Sequence, residues 1–361
     1  MNSYHWSVTP SFRPSLQLRN KASSPCSNGS SRTACLDGVQ VPAHCGGRDL
    51  RARGPVLQTR PFQTEGDDMT EAAGALPSTP LRRVPHRELP DPGRLTYVLR
   101  QRFSYTYDAP VRDLDHRLVV VPPRRHGDQR RRRHSITVSA ADARTTHRRD
   151  AAGNTVTRSR VPLVRDRVEF VVDAVVERVG PGTDVLVPAT ALTDSRLLRP
   201  TRLTAADAAI RRLAATMADQ DWLATADRFC TYVHEAIRYA YGATSVSTTA
   251  AEALAGGQGV CQDAAHVMIA LCRAIGLPTR YVSGHLLGEG GTHAWVEVIV
   301  ADDNDARAVA LDPCNGCRVG ANYLTVATGR DYTDVAPTSG TYRGTARGNL
   351  TATKQVDIAL P

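Results

Sequence analysis

The chain of 361 residues has no run approaching the roughly 20 consecutive apolar residues of a membrane-crossing helix, so none is expected. Its first 35 residues hold no apolar core between the charges and the small residues. A secretory signal is therefore not read, and a cytoplasmic location is expected. The 8 cysteines make no small-scaffold disulfide framework: Cys26, Cys35 and Cys45 sit in an irregular head and the other five lie further on. Cys314-Asn315-Gly316-Cys317 is a single C-x-x-C, and one pair cannot close a tetrahedral zinc site, so no metal is expected. The net charge is +9, and residues 124–134 carry a dense arginine block. No aromatic residue interleaves that block, which argues against a base-stacking nucleic-acid surface and for a solvated loop. No internal repeat is present.

What is present divides the chain by pattern. Residues 1–92 are rich in Ser, Pro, Arg and Gly, follow neither the helical nor the strand period, and read as a disordered head. Met69 offers an alternative start that would leave 1–68 untranslated. Residues 93–180 read as a β-rich domain. Tyr97, Leu99, Phe103, Tyr105 and Tyr107 alternate with polar or smaller residues, and further strands are expected at 118–121, 135–139, 155–159 and 168–179, the spacing of a small antiparallel sandwich. Residues 181–200 read as a linker, 201–345 as a second domain, and 346–361 as a tail with a possible last strand at 356–358. Thr204 is the expected cap of a first helix, and 222–239 is expected to form a longer amphipathic one. Thr249 and Glu252 have the spacing of a capping box on a short helix. Tyr332 and Tyr342 read as parts of late strands.

The second domain holds the residues that carry chemistry. Gly256-Gly257-Gln258-Gly259-Val260 leads into Cys261 and then into an almost wholly apolar stretch, residues 264–275. That pattern predicts a loop feeding a buried helix, with the thiol at its first turn, where unpaired N–H groups and the helix dipole favour thiolate. Gln262, Asp263 and His266 crowd the same end and are expected to face a cleft. Gly276 and Pro278 stop the helix. His293 stands at the head of an alternating, β-branched strand, and Asp312 at the end of another. A thiol needs a base, and an imidazole needs an acceptor that fixes its tautomer. Cys261, His293 and Asp312 can fill those three roles.

The runs Gly259-Val260-Cys261-Gln262-Asp263, Pro278-Thr279-Arg280-Tyr281-Val282-Ser283-Gly284, His293-Ala294-Trp295-Val296-Glu297 and Asp312-Pro313 together resemble the bacterial branch of the transglutaminase-like superfamily. The resemblance covers about residues 200–345, and more weakly 95–180, which is similar to the β-rich N-terminal region of these bacterial proteins. It implies an α+β fold with a papain-like core, in which a buried catalytic helix packs on an antiparallel sheet. A small β-sandwich domain and the disordered head precede that core. It further implies Cys261 as nucleophile, His293 as general base and acid, and Asp312 as the orienting carboxylate. One position departs from the pattern: Cys314 stands where the group often has threonine, which leaves its redox behaviour open.

The chemistry expected from such a site is attack of the thiolate on an amide carbonyl, giving a thioester. Water as acceptor would make the protein a cysteine protease or amidase, and an amine would make it a protein-glutamine transamidase. The backbone N–H of Cys261 is the expected oxyanion donor, with Gln258, Tyr239 or Tyr241 as candidates for a second. The expected partner is a protein or peptide substrate, with no membrane and no cofactor. The rival reading is a non-catalytic binding module that keeps the three residues.

Overall fold

The computed structural model describes residues 3–7, 94–180, 184–287 and 291–359. Strand β1 (Ser3–Ser7) stands in the stretch read as an irregular head, an element that the sequence reading did not place. The rest of that head, with the alternative start at Met69, lies outside the described residues. Next come β2 (Leu95–Tyr107), β3 (Val111–Val121), β4 (Arg125–His126), β5 (Gln129–Val138), β6 (Arg144–Arg149), β7 (Thr155–Val164) and β8 (Arg167–Arg178). After β9 (Val185–Val187) the helices begin: α1 (Ser195–Leu198), α2 (Ala208–Met217) and α3 (Trp222–Ala236). Then follow β10 (Arg238–Tyr239), α4 (Ala250–Gly256), β11 (Gln258–Gly259) and α5 (Cys261–Ala274). The chain continues through β12 (Thr279–Leu286), β13 (His293–Asp302), β14 (Asp305–Asp312), β15 (Cys317–Arg318) and β16 (Tyr323–Gly329). It ends with α6 (Tyr332–Val335), β17 (Thr338–Arg343) and β18 (Gly348–Ala359).

Two five-stranded sheets, in the orders β1-β17-β3-β7-β6 and β18-β2-β8-β5-β4, form the sandwich. Alternation drives it: along β8 every second residue is buried, and Phe103, Tyr105, Leu114, Val161, Phe170 and Tyr342 join in one apolar cluster between the sheets. The domain is not contiguous in sequence. β17 pairs with β3, and β18 lies along the whole of β2, from Gly348 opposite Tyr107 to Ala359 opposite Thr96. The segment read as a tail is thus an edge strand of the first domain.

The arginine block is a hairpin strand rather than a loop. Residues of β4 pair with β5, and β5 pairs with β8 through a bulge between Arg131 and Arg133. Arg131 donates to Pro122 O at 2.8 Å, and Arg132 pairs with Glu177 at 2.5 Å. Long side chains with charged tips suit the solvent face of an outer strand, where stems lie on the sheet and heads stay in water.

The second domain is a sheet in the order β15-β14-β13-β12-β16, with β9 of the linker pairing with β14. Helix α5 is buried on almost every side and shares one apolar cluster with residues of α2, α3, α4, β13 and β14. Two capping expectations meet different outcomes. Thr249 and Glu252 form the capping box of α4. Helix α2 is capped by Asp207, which accepts from Ile210 N–H at 2.8 Å, while Thr204 is buried and accepts from Arg273 at 2.9 Å. Tyr332 opens the short helix α6 rather than a strand. No helix among the described residues is long and apolar enough to cross a membrane.

Side-chain amides of the sandwich satisfy the outer edge of β16. Gln129 donates to Thr325 O and accepts from Thr325 N–H, at 2.8 and 3.0 Å. Asn154 repeats the arrangement on Thr328, at 2.8 and 2.9 Å. An amide offers one donor and one acceptor side by side, as a neighbouring strand would, so it caps an open sheet edge. Arg178 adds bonds to Gly320 O and Tyr323 O.

Candidate active site

Cys261 is the first residue of α5. The turn into it is held by Asp263, whose Oδ2 accepts from Val260 N–H at 2.8 Å and from Thr244 Oγ1 at 2.6 Å. Gly259 permits this closure, because a Cβ there would stand 2.7 Å from the Asp263 side chain. Upstream, Gly257 caps α4 in the left-handed conformation at φ 60°, and β11 pairs in parallel with β10, setting Tyr239 opposite Gly259. The first N–H groups of α5, including that of Cys261, have no partner within the helix and are donors aimed outward from its start. Cys261 is half-buried, whereas Cys230 and Cys272 are buried and burial pushes their thiols up to about 12.

The polar residues next to Cys261 do not face a cleft. Gln262, Asp263 and His266 are all buried. His266 Nε2 accepts from Tyr332 N–H at 3.2 Å, and burial lowers its pKa to about 4, so the neutral ring is a structural acceptor. Gln262 reaches Val246 O at 3.4 Å. These groups tie the first turn of α5 to its surroundings. At the other end Arg273 donates to Leu197 O, Thr279 O and Arg330 O, all within 3.0 Å, satisfying carbonyls of three segments.

His293 and Asp312 meet directly: Nε2 lies 2.7 Å from Oδ2. Their strands explain it, since β13 and β14 are antiparallel neighbours and Val296 pairs with Leu311, which brings the head of one to the end of the other. An ionised carboxylate only accepts, so Nε2 carries the proton and Nδ1 keeps the lone pair needed to take one from a thiol. The imidazole is flanked by Trp295, with centroids 6.2 Å apart, and Tyr323, at 6.0 Å. Trp295 itself is fully buried and lies so close to Gly284 that a Cβ there would be 2.3 Å from its ring.

Asp312 is fully buried and heavily solvated by protein donors. Its Oδ1 accepts from the main-chain N–H of Cys314 at 2.9 Å and of Asn315 at 3.2 Å. Its Oδ2 accepts from Asn315 Nδ2 at 2.7 Å and Tyr323 OH at 2.8 Å, besides His293. Burial alone would raise the carboxyl pKa, but the bonds from His293, Asn315 and Tyr323 outweigh it and hold Asp312 below the ordinary range. The departure at Cys314 is thereby explained: this position contributes its main-chain N–H, which threonine and cysteine supply alike. Tyr323 was not singled out in the sequence, and only a hydroxyl at a fixed distance beyond Asp312-Pro313 could have hinted at it.

Glu297 is buried and bridges the two domains. Its Oε1 accepts from His126 Nε2 at 2.6 Å and its Oε2 from Arg280 Nε at 2.5 Å. Burial raises its pKa, but Arg280 and His126 outweigh this and bring it down to about 2. Among the described residues no group of His, Cys, Asp and Glu is arranged to hold a metal.

The chain belongs to the transglutaminase-like superfamily, which it matches over residues 211–313, with the bacterial transglutaminase-like N-terminal region matching over 97–177. It is similar to an uncharacterized protein of Mycobacterium leprae, with 38% identity over 122 residues that make up 31% of this chain and 42% of that protein. It is also similar to an uncharacterized protein of Mycobacterium tuberculosis, with 29% identity over 280 residues that make up 70% of this chain and 89% of that one. The chain thus spans under half of the first relative's length and most of the second's. Among solved structures, a "Putative Cysteine Protease from Cytophaga hutchinsonii" shares the fold with a TM-score of 0.60 and 18% identity, covering 74% of this chain and 92% of that one.

Proposed function

We propose that this protein is a cysteine hydrolase of amide bonds in proteins or peptides, with Cys261 as nucleophile, His293 as base and acid, and Asp312 as the carboxylate that orients His293. The observation that carries the reading is the 2.7 Å contact from His293 Nε2 to a buried, ionised Asp312. It leaves Nδ1 as the nitrogen that can accept the thiol proton, and the nearby buried helix presents a half-exposed thiol at its first residue. In the first step the sulfur bonds to the carbonyl carbon and the C–N bond breaks. The proton that His293 took from the thiol goes to the leaving amine. In the second step water adds to the thioester, His293 takes its proton, and the carboxylate product leaves as the thiol re-forms. The Cys261 N–H stabilises the oxyanion in both. No cofactor takes part in these steps, and a reduced, cytoplasmic setting is part of the proposal.

The test is alkylation with iodoacetamide across pH, read by mass spectrometry at each thiol. Cys261 is expected to be alkylated faster than the other thiols, because a thiol served by a neighbouring base reacts through its thiolate. Cys317 is exposed but has its pKa raised by burial of the sulfur, and it serves as the internal control. Equal pH profiles for the two would leave a protein that keeps the three residues without using them. A peptide substrate incubated with and without a primary amine then reads the acceptor, since hydrolysis leaves a carboxylate and transamidation a new amide.

A further inference from the structure

Beside the loop that carries Cys261 lies a cavity of about 610 Å³, lined by Arg202, Thr244, Ser245, Ser247, Thr248 and Gln258 among others. Its wall is fastened to the first turn of α5 at two points. Thr244 Oγ1 donates to Asp263 Oδ2 at 2.6 Å, and Val246 O accepts from Gln262 Nε2 at 3.4 Å. Gln258 enters the same wall three residues before Cys261. The cavity is therefore held in a fixed relation to the start of α5.

The lining chooses the chemistry of the occupant. The side chains are hydroxyls, an amide and charged groups, with Ala243 the only apolar one, so an aliphatic or aromatic group would find nothing to pack against. Arg202 is the cation of the wall. It is exposed and sits on a turn closed by the bond from Thr204 N–H to Thr201 O at 3.2 Å. One of its nitrogens donates to Ser247 O at 3.1 Å, and after the bonds from Thr249 its charge adds to what holds the Glu252 carboxyl below the ordinary range. Glu252 also lines the cavity, but its Oε2 is committed to the α4 cap, accepting from Thr249 N–H at 2.8 Å and Thr249 Oγ1 at 2.9 Å. The serine and threonine hydroxyls bond among themselves, as in Ser245 Oγ to Ser247 Oγ at 2.8 Å, and each keeps further donor or acceptor capacity.

We infer that this cavity is a substrate subsite that binds a carboxylate through Arg202, with the surrounding hydroxyls as supporting donors. The claim rests on Cys261 being the nucleophile and adds the class of substrate: an amide whose chain carries a carboxylate near the scissile bond. A guanidinium with free N–H groups matches a carboxylate in two-point geometry, which a neutral amide cannot reproduce. The carboxylate comes from an acidic side chain or from a chain terminus, and the experiment separates them.

Two pairs of chloroacetyl peptides supply the test. One pair is chloroacetyl-Gly-Gly with a free C-terminus against its C-terminal amide. The other is chloroacetyl-Gly-Glu-amide against chloroacetyl-Gly-Gln-amide. The second-order rate of alkylation of Cys261 is measured in the full chain and in Arg202→Gln. At least one charged probe is expected to react about tenfold faster than its neutral mate, the size of one charge-assisted contact. In Arg202→Gln that advantage falls to within about twofold while the neutral probes keep their rates. The pair that shows the effect identifies the source of the carboxylate. Equal rates within both pairs, or an advantage that survives Arg202→Gln, overturn the proposal.

A second measurement separates the cavity from the nucleophile. Acetyl versions of the same peptides are titrated into Cys261→Ala and into Cys261→Ala with Arg202→Gln by calorimetry. Tighter binding of a charged peptide, lost with Arg202→Gln, supports the cavity even if no probe alkylates Cys261, in which case it is the catalytic reading that fails. Alkylation of Cys261 by all probes alike, with charged and neutral peptides bound alike, keeps the nucleophile and overturns the subsite.

Discussion

The side-chain amide of Gln129 and the main chain of Thr325 exchange two hydrogen bonds, at 2.8 and 3.0 Å, across the boundary between the sandwich and the edge strand β16. The same strand begins with Tyr323, which donates to Asp312. A side chain of the first domain therefore helps to set the position of a residue at the candidate site.

Gln129→Leu tests this relationship. The substitution leaves a buried N–H and a buried carbonyl unpaired, and a loss of about 3 kcal/mol in stability is expected. Urea denaturation would read it as a lowered midpoint. A loss below about 0.5 kcal/mol, the size of a neutral surface change, would mean that the edge does not need this amide.

Asp312→Asn keeps the size of the side chain but removes the acceptor that fixes the His293 tautomer. Turnover is expected to fall by about 10² to 10⁴, the upper figure being that of a serine triad. A thiolate and imidazolium activate each other in part, which sets the lower figure. A rate within twofold of the unsubstituted protein would take Asp312 out of the mechanism.

Tyr323→Phe removes one of three side-chain donors to Asp312 and leaves the others in place. A fall in kcat of about tenfold is expected, smaller than that of Asp312→Asn, because one hydrogen bond to a charged group is worth about 1.5–3 kcal/mol and the neighbours compensate in part. Because the lost bond favours the ionised carboxylate, the acid limb of the rate profile should also move to higher pH. An unchanged limb with an unchanged kcat would make Tyr323 a packing residue only.

Glu297 predicts how stability depends on pH. Its carboxyl titrates at about 2 in the folded protein, below its ordinary value of 4.5. The folded form therefore holds the charged carboxylate more strongly than the unfolded form does, and this contributes stability above pH 4.5 that is lost as pH falls toward about 2. Glu297→Gln should cost about 3 kcal/mol at pH 7 by leaving Arg280 and His126 unpaired, and should flatten the decline between pH 5 and 2. Denaturation midpoints at several pH values would show an undiminished slope if other carboxylates dominate.

Cys261→Ala is expected to abolish turnover while costing only about 1 kcal/mol in stability. The sulfur is half-buried at a helix end, so its removal opens no large cavity. Calorimetric unfolding beside an activity assay gives both readings, and retained turnover would rule out Cys261 as nucleophile.

The sequence alone was enough for the features that depend on neighbours along the chain. The alternation of 95–107, the apolar run after Cys261 and the Thr249–Glu252 spacing each specify an element through local sterics and period, and each is found. The helix-then-strands order around Cys261, His293 and Asp312 also carried the family resemblance. Local pattern failed where a long-range partner decided the outcome. The arginine run has the composition of a solvated loop, yet β8 provides a ladder for it. Thr204 has the chemistry of a cap, yet Arg273 claims its hydroxyl and Asp207 takes the helix end.

At the candidate site the division is the same. Residue types and order along the chain determined which groups could act as thiol, base and orienting acid. Only the tertiary structure decided that Nε2 of His293 faces Asp312, that Tyr323 and Asn315 share that carboxylate, and that Gln262, Asp263 and His266 are buried supports rather than the wall of a cleft. Side-chain direction and burial depend on strands and helices brought together from far along the chain, and neither charge nor period at a single position encodes which of them will arrive.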